Sequence, residues 1–191
     1  MDFYDFTKFS AAAKSLIHLI NLHGDNLTGI EVGVARAENL CFLAQSCKNI
    51  KEMHGVDAYV PYKDYLCSLP DDGTPRLVLG AKDIEAWKVL AYHNIKWSGE
   101  EQKIIMHEED SEITAKRFND YFDFVFLDSY LTYKQAYQDL VSWYPTLKHG
   151  GIFSGHDYNS PDIQKAVEGF LTTFGITSKL SVYDDCWVFI K

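Results

Sequence analysis

Two carboxylates stand at the ends of apolar runs, in Phe124-Val-Phe-Leu-Asp128 and in Gly150-Gly-Ile-Phe-Ser-Gly-His156-Asp157-Tyr158. If those runs are neighbouring strands, Asp128 and Asp157 start about 5 Å apart. Acids that close repel unless they share a proton or a cation. A site ligated only by oxygen suits Mg²⁺, Ca²⁺ or Mn²⁺ better than zinc. His156 adds a base that titrates near neutrality, or else a ring that satisfies loop carbonyls.

Three further groups can do chemistry. In Gly29-Ile-Glu31-Val-Gly33-Val-Ala35-Arg-Ala37, Gly33 marks a strand-to-helix turn, where free N–H groups and the missing Cβ admit a ligand. Glu31, an acid at the end of a buried strand, needs a partner there. Asp57 ends Gly55-Val-Asp57, in the place where α/β nucleotide sites put an acid on ribose hydroxyls; a turn or cap aspartate is the plainer reading. In Glu108-Glu-Asp110-Ser111 the acid can accept from an exocyclic amine and Ser111 can bond a ring nitrogen. The same tetrapeptide also reads as a solvated loop or a helix N-cap.

These residues need elements to hold them. Continuous apolar runs predict strands over 28–34, 52–57, 103–106, 121–128 and 151–156, buried on both faces as in a parallel sheet. Helical spacing predicts helices over 7–22, 38–46, 81–97, 114–118, 132–147 and from Pro161 to a stop at Gly175. Residues 179–183 and 186–191 flank Asp184-Asp185 as a terminal hairpin. Strands alternating with helices, then a hairpin, predict a three-layer αβα sheet with an antiparallel edge. Periodicity is lost over 59–80, where prolines and Asp72-Gly73 mark turns. Its Tyr59, Tyr62 and Tyr65 are lid candidates or local surface packing. Tyr133, Tyr137, Leu140, Trp143 and Tyr144 follow helical spacing and read as core.

The chain has 191 residues, 47% of them hydrophobic and 15% aromatic, enough for one domain spanning residues 1–191. No run reaches the roughly 18 apolar residues of a membrane span, and the N-terminus has no signal core. A formal charge of −9 without a basic stripe argues against nucleic acid as partner. Cys41, Cys47, Cys67 and Cys186 form no C-x-x-C pair, so buried free thiols in a reducing, cytoplasmic setting are expected.

Together these residues resemble class I S-adenosylmethionine-dependent methyltransferases, in particular the small-molecule O-methyltransferase branch of methyltransferase domain family 24. The resemblance runs from about residue 28 to the C-terminus, most specifically through 121–128, Gly150-Gly151 and 155–158. The Glu109-Asp-Ser111 step and the closing 186–191 strand are similar too. It implies a Rossmann-like sheet of seven strands in order 3-2-1-4-5-7-6, strand seven antiparallel. By that likeness Glu31, Gly33 and Ala35 would hold the methionine end of S-adenosylmethionine, Asp57 and Ala58 the ribose, and Asp110 with Ser111 the adenine. Asp128 would border the cofactor, act in catalysis and, with Asp157, ligate Mg²⁺, while His156 would take the substrate proton. The chain departs from the family where Ala35 and Ala37 replace loop glycines and where Leu131 replaces a histidine.

The implied activity is methyl transfer to a hydroxyl of a small molecule, sugar-like, with or without Mg²⁺. A catalytically silent binding or scaffold module is the alternative from another class. A nicotinamide dehydrogenase would need a full G-x-G-x-x-G, which is absent. A homodimer through the edge hairpin or the N-terminal helix is compatible with the sequence.

Overall fold

The computed structural model describes residues 3–8, 11–60, 81–129 and 132–191. Most of the lid candidate, including Tyr62, Tyr65 and Cys67, lies outside the described residues, as does Leu131. The apolar runs become β1 (Leu27–Val32), β2 (Ile50–Val56), β3 (Ile104–His107), β4 (Phe122–Leu127) and β5 (Leu147–Gly155), with β6 (Ser181–Tyr183) and β7 (Cys186–Ile190) as the hairpin. They form one seven-stranded sheet in the order β3-β2-β1-β4-β5-β7-β6, and β7 runs antiparallel to both β5 and β6. Helices α1 (Ile17–Leu22), α2 (Glu38–Ser46), α3 (Ala81–Ser98), α4 (Ser111–Ala115), α5 (Tyr133–Trp143) and α6 (Pro161–Thr173) flank it.

Side chains alternate across the pleat, so each central strand feeds two cores. On β4, Phe124 and Phe126 join α2 and the N-terminal segment, while Val125 and Leu127 join α5 and α6. Each buried Phe contributes about 1.5–3 kcal/mol of transfer free energy, which is why these runs stay central. Their carboxyl ends emerge together along one edge, carrying Glu31, Asp57, Asp128 and His156.

The structure moves several boundaries. The helix expected over 7–22 is broken into 3-10 turns at Phe6–Lys8 and Ala12–Leu16, followed by α1. Tertiary bonds account for it: Gln45 Oε1 accepts from Phe6 N and Asn39 Oδ1 from Ala13 N, which fixes backbone that a helix would have to reclaim. Helix α4 starts at Ser111 because the Asp110 carboxylate caps it, accepting from Glu112 N and Ile113 N at 3.0 and 3.2 Å. Helix α5 ends at Trp143, and a 3-10 turn carrying Pro145 leads into β5. Strand β5 begins at Leu147, four residues before its expected start, and takes the double glycine inside it. Gly150 adopts φ +81 there, and Lys191 closes the irregular stretch by bonding both glycines.

Of the expected core aromatics, Trp143 is fully buried but Tyr133 is 36% exposed, with Lys165 over its ring. Cys41, Cys47 and Cys186 are buried free thiols. No described helix is long and apolar enough to cross a membrane.

Candidate active site at the carboxyl edge of the sheet

At the end of β1, Gly33 N–H donates to Val56 O and Asp128 N–H to Val32 O, drawing β1, β2 and β4 together. Gly33 has φ +89, and a Cβ there would lie 2.2 Å from the Asp128 carbonyl oxygen. The glycine is therefore required first by the close approach of β4, a reason the sequence did not reveal. Beyond it the chain turns through Ala35 and Ala37, with φ +48 and +60. Both alanines occupy the left-handed region that glycine favours, so each methyl is accommodated at a cost of about 1–2 kcal/mol.

The loop is held by Asp57. Its Oδ2 accepts from Ala35 N and its Oδ1 from Tyr59 N, each at 2.9 Å. The Tyr59 hydroxyl donates to Ala35 O, packing the ring over the turn. Burial raises the Asp57 pKa against those N–H bonds. Asp57 is thus a turn aspartate, and each oxygen keeps a lone pair for a hydroxyl. Gly33, Asp57, Ala58, Asp110, Ser111 and Ser129 border an open cleft.

Glu31, on β1 two residues before Gly33, is 1% exposed. Asn39 Nδ2 donates to its Oε1 at 2.8 Å, while Oε2 has no partner. Burial drives its pKa well up, and the charges of Asp128 and Asp57 add to the rise. An orphaned buried carboxylate oxygen is rare and calls for a donor. A cationic amine would supply one, and the methionine end of S-adenosylmethionine carries such a group. The cleft, the acids along it and this orphan all fit that nucleoside.

On the β4 side, Leu127 pairs with Gly155, so by register Asp128 faces His156 rather than Asp157. Asp157 comes back toward the edge because it adopts φ +58. His156 Nδ1 then sits 3.4 Å from Asp128 Oδ1 and 3.3 Å from Asp157 Oδ1. One donor atom from each of the three residues falls within a 4.8 Å cluster. The donor set is therefore two carboxylates and an imidazole, so a nitrogen joins the expected all-oxygen pair. The bond to Asp128 leads the rise in the His156 pKa, and burial raises that of Asp157. His156 Nε2 lies 4.0 Å from Asp185 Oδ2, an acid of the hairpin turn.

Two groups escaped the sequence reading. Asp139 of α5 is 1% exposed, accepts from Ser111 Oγ and Ser129 Oγ, and has its pKa raised by burial to about 6. Its signal was an acid inside the stripe Ala136, Asp139, Leu140, Trp143, which is helical core spacing. His54 Nδ1 and His107 Nε2 meet at 2.9 Å across β2 and β3, and His54 Nε2 reaches Glu52. Burial lowers the His107 pKa. No sequence spacing links that pair, because strand pairing alone makes it.

The profile of a methyltransferase domain matches residues 30–158. No curated protein matches the sequence. Among solved structures, a candidate O-methyltransferase from Klebsiella pneumoniae is 14% identical, with a TM-score of 0.63, covering 96% of this chain and 81% of that one. The O-methyltransferase from Bacillus cereus, in complex with SAH, is 11% identical with a TM-score of 0.61, covering 92% and 79%. A candidate rRNA methylase from Clostridium thermocellum is 11% identical with a TM-score of 0.66, covering 96% and 98%. At such identities the likeness is one of fold, and the neighbours differ in acceptor.

Proposed function

The chain belongs to the methyltransferase-domain family and is an S-adenosylmethionine-dependent methyltransferase; from that premise we propose that it methylates a hydroxyl of a small molecule, such as a sugar. The observation that carries the proposal is His156 held between Asp128 and Asp157 in a pocket that shares Ser129 with the cleft walled by Gly33, Asp57 and Ser111. Glu31, Gly33 and Ala35 would hold the methionine end, Asp57 and Ala58 the ribose, and Asp110 with Ser111 the adenine. When bound, the sulfonium supplies an already activated methyl group.

The protein's part is alignment and proton handling. Either carboxylate can accept Nδ1–H of a neutral His156, which leaves the Nε2 lone pair for the acceptor's hydroxyl proton. Asp128 and Asp157 would stabilise the imidazolium that results. Two neighbouring acids therefore need no metal if His156 sits charged between them.

A second reading has its own observation, the 4.8 Å cluster of three donor atoms. Asp128 and Asp157, with His156 as a third ligand, would hold a divalent cation. Mg²⁺ suits the carboxylates, and the nitrogen widens the choice to Mn²⁺ and its neighbours. Such an ion lowers the pKa of a coordinated hydroxyl.

The test is release of S-adenosylhomocysteine across a panel of sugars and other hydroxylated small molecules, with and without a chelator. Turnover that survives chelation supports the proton-transfer reading; loss restored by Mg²⁺ or Mn²⁺ supports the cation. Binding of the cofactor with no turnover on any acceptor would point to the silent binding module.

A further inference from the structure

Asp139 is a buried acid that the proposed reaction does not use. Its Oδ1 accepts the Ser111 hydroxyl at 2.7 Å and its Oδ2 accepts the Ser129 hydroxyl at 2.6 Å. From one turn further along α5, the Trp143 indole N–H donates to Ser111 Oγ at 2.8 Å. A hydroxyl has one proton, and an ionised carboxylate can only accept. Both seryl protons are therefore committed to Asp139, whose pKa of about 6 leaves it ionised at neutral pH. Ser111 Oγ, already taking the indole proton, keeps one lone pair, and Ser129 Oγ keeps two.

Both serines line the cleft. Asp110 has the same polarity, since its Oδ1 is spent on the α4 N-terminus and Oδ2 remains an acceptor. Asp110, Ser111 and Ser129 thus offer a ligand oxygens that accept.

We propose that Asp139 is a specificity-determining, positioning residue: by taking both seryl protons it turns Ser111 and Ser129 into obligate acceptors, so the cleft selects a base with an exocyclic amine over a 6-oxo purine. The inference rests on reading this cleft as the nucleoside site. It also reverses the expected role of Ser111, whose hydroxyl has no proton left for a ring nitrogen and must meet an N–H instead.

The experiment is isothermal titration of the whole protein with S-adenosylhomocysteine and with its 6-oxo counterpart, S-inosylhomocysteine. Wild type binds the amine form about tenfold more tightly, because the amine brings two protons to these acceptors, whereas the oxo form brings only its N1–H and sets O6 against an acceptor. In Asp139→Asn the amide donates to one serine and frees that serine's proton toward the cleft. The preference then shrinks about tenfold, whereas a merely structural role would weaken both ligands equally and keep the ratio. Ser111→Ala deletes the acceptor itself, shrinks the preference as well, and decides the matter should Asp139→Asn not fold. An unchanged ratio in the variants that bind overturns the inference. A wild type that binds neither ligand overturns the nucleoside reading beneath it, which is a different result.

Discussion

Replacing Glu31 by glutamine separates what this side chain costs the fold from what it offers a ligand. Burial holds its pKa well above the ordinary 4.5, and one of its oxygens has no partner. A raised acid keeps in the folded state a proton that the unfolded chain releases. Between 4.5 and the raised value, stability therefore falls as pH rises. Glutamine cannot ionise, so Glu31→Gln matches wild type in acid and gains on it as pH increases. Relieving an uncompensated buried group returns about 1–3 kcal/mol, or about 3–10 °C in Tm for a chain of this length. The ligand sees the opposite sign. An amine that loses a charged hydrogen bond forfeits about 1.5–3 kcal/mol, roughly 10- to 150-fold in Kd. Thermal melts by circular dichroism from about pH 5 to about pH 9 read the first effect, and titration with S-adenosylhomocysteine reads the second. A variant that melts below wild type throughout and binds as tightly would refute the reasoning.

Asp139→Asn should gain stability relative to wild type as pH rises from 3.8 to about 6, because the buried acid must ionise over that window. The gain is about 3 kcal/mol from about two pKa units, read from denaturant melts at each pH; parallel curves would contradict it. Ala35→Gly relieves a left-handed methyl worth about 1–2 kcal/mol at an entropic cost of about 0.5–1, so Tm should rise by up to about 6 °C and not fall. On the proton-transfer reading, kcat rises with pH through a midpoint above 6.5, since the Asp128 bond raises the His156 pKa and the neutral ring is the active form. His156→Gln should lower kcat by about 100-fold or more while S-adenosylhomocysteine binds within about threefold of wild type. A midpoint below 6.5 would count against His156 as the base.

The sheet was legible because its signals are local. Val125 and Leu127 read as buried on a strand from their own run, and Asp184-Asp185 marks the hairpin that sets β7 antiparallel. Strand ends likewise put Glu31, Asp57, Asp128 and Asp157 on one edge in the sequence, although the register sets His156 opposite Asp128 in place of Asp157. The rest depends on contacts between distant residues. Gly33 is fixed by the Asp128 carbonyl, the split N-terminal helix by Gln45 and Asn39, and the Asp139 cluster by Ser111 and Ser129. The alanines at 35 and 37 show the converse, since the fold imposes a left-handed turn that their residue type argues against.

The most direct measurement is a crystal structure with S-adenosylhomocysteine bound. The account predicts the amino group on Glu31 Oε2, ribose hydroxyls on Asp57 and the base beside Ser111, with the sulfur end toward Asp128 and His156. A nucleoside bound elsewhere, or one lying in this cleft while Glu31 Oε2 keeps no partner, would contradict it.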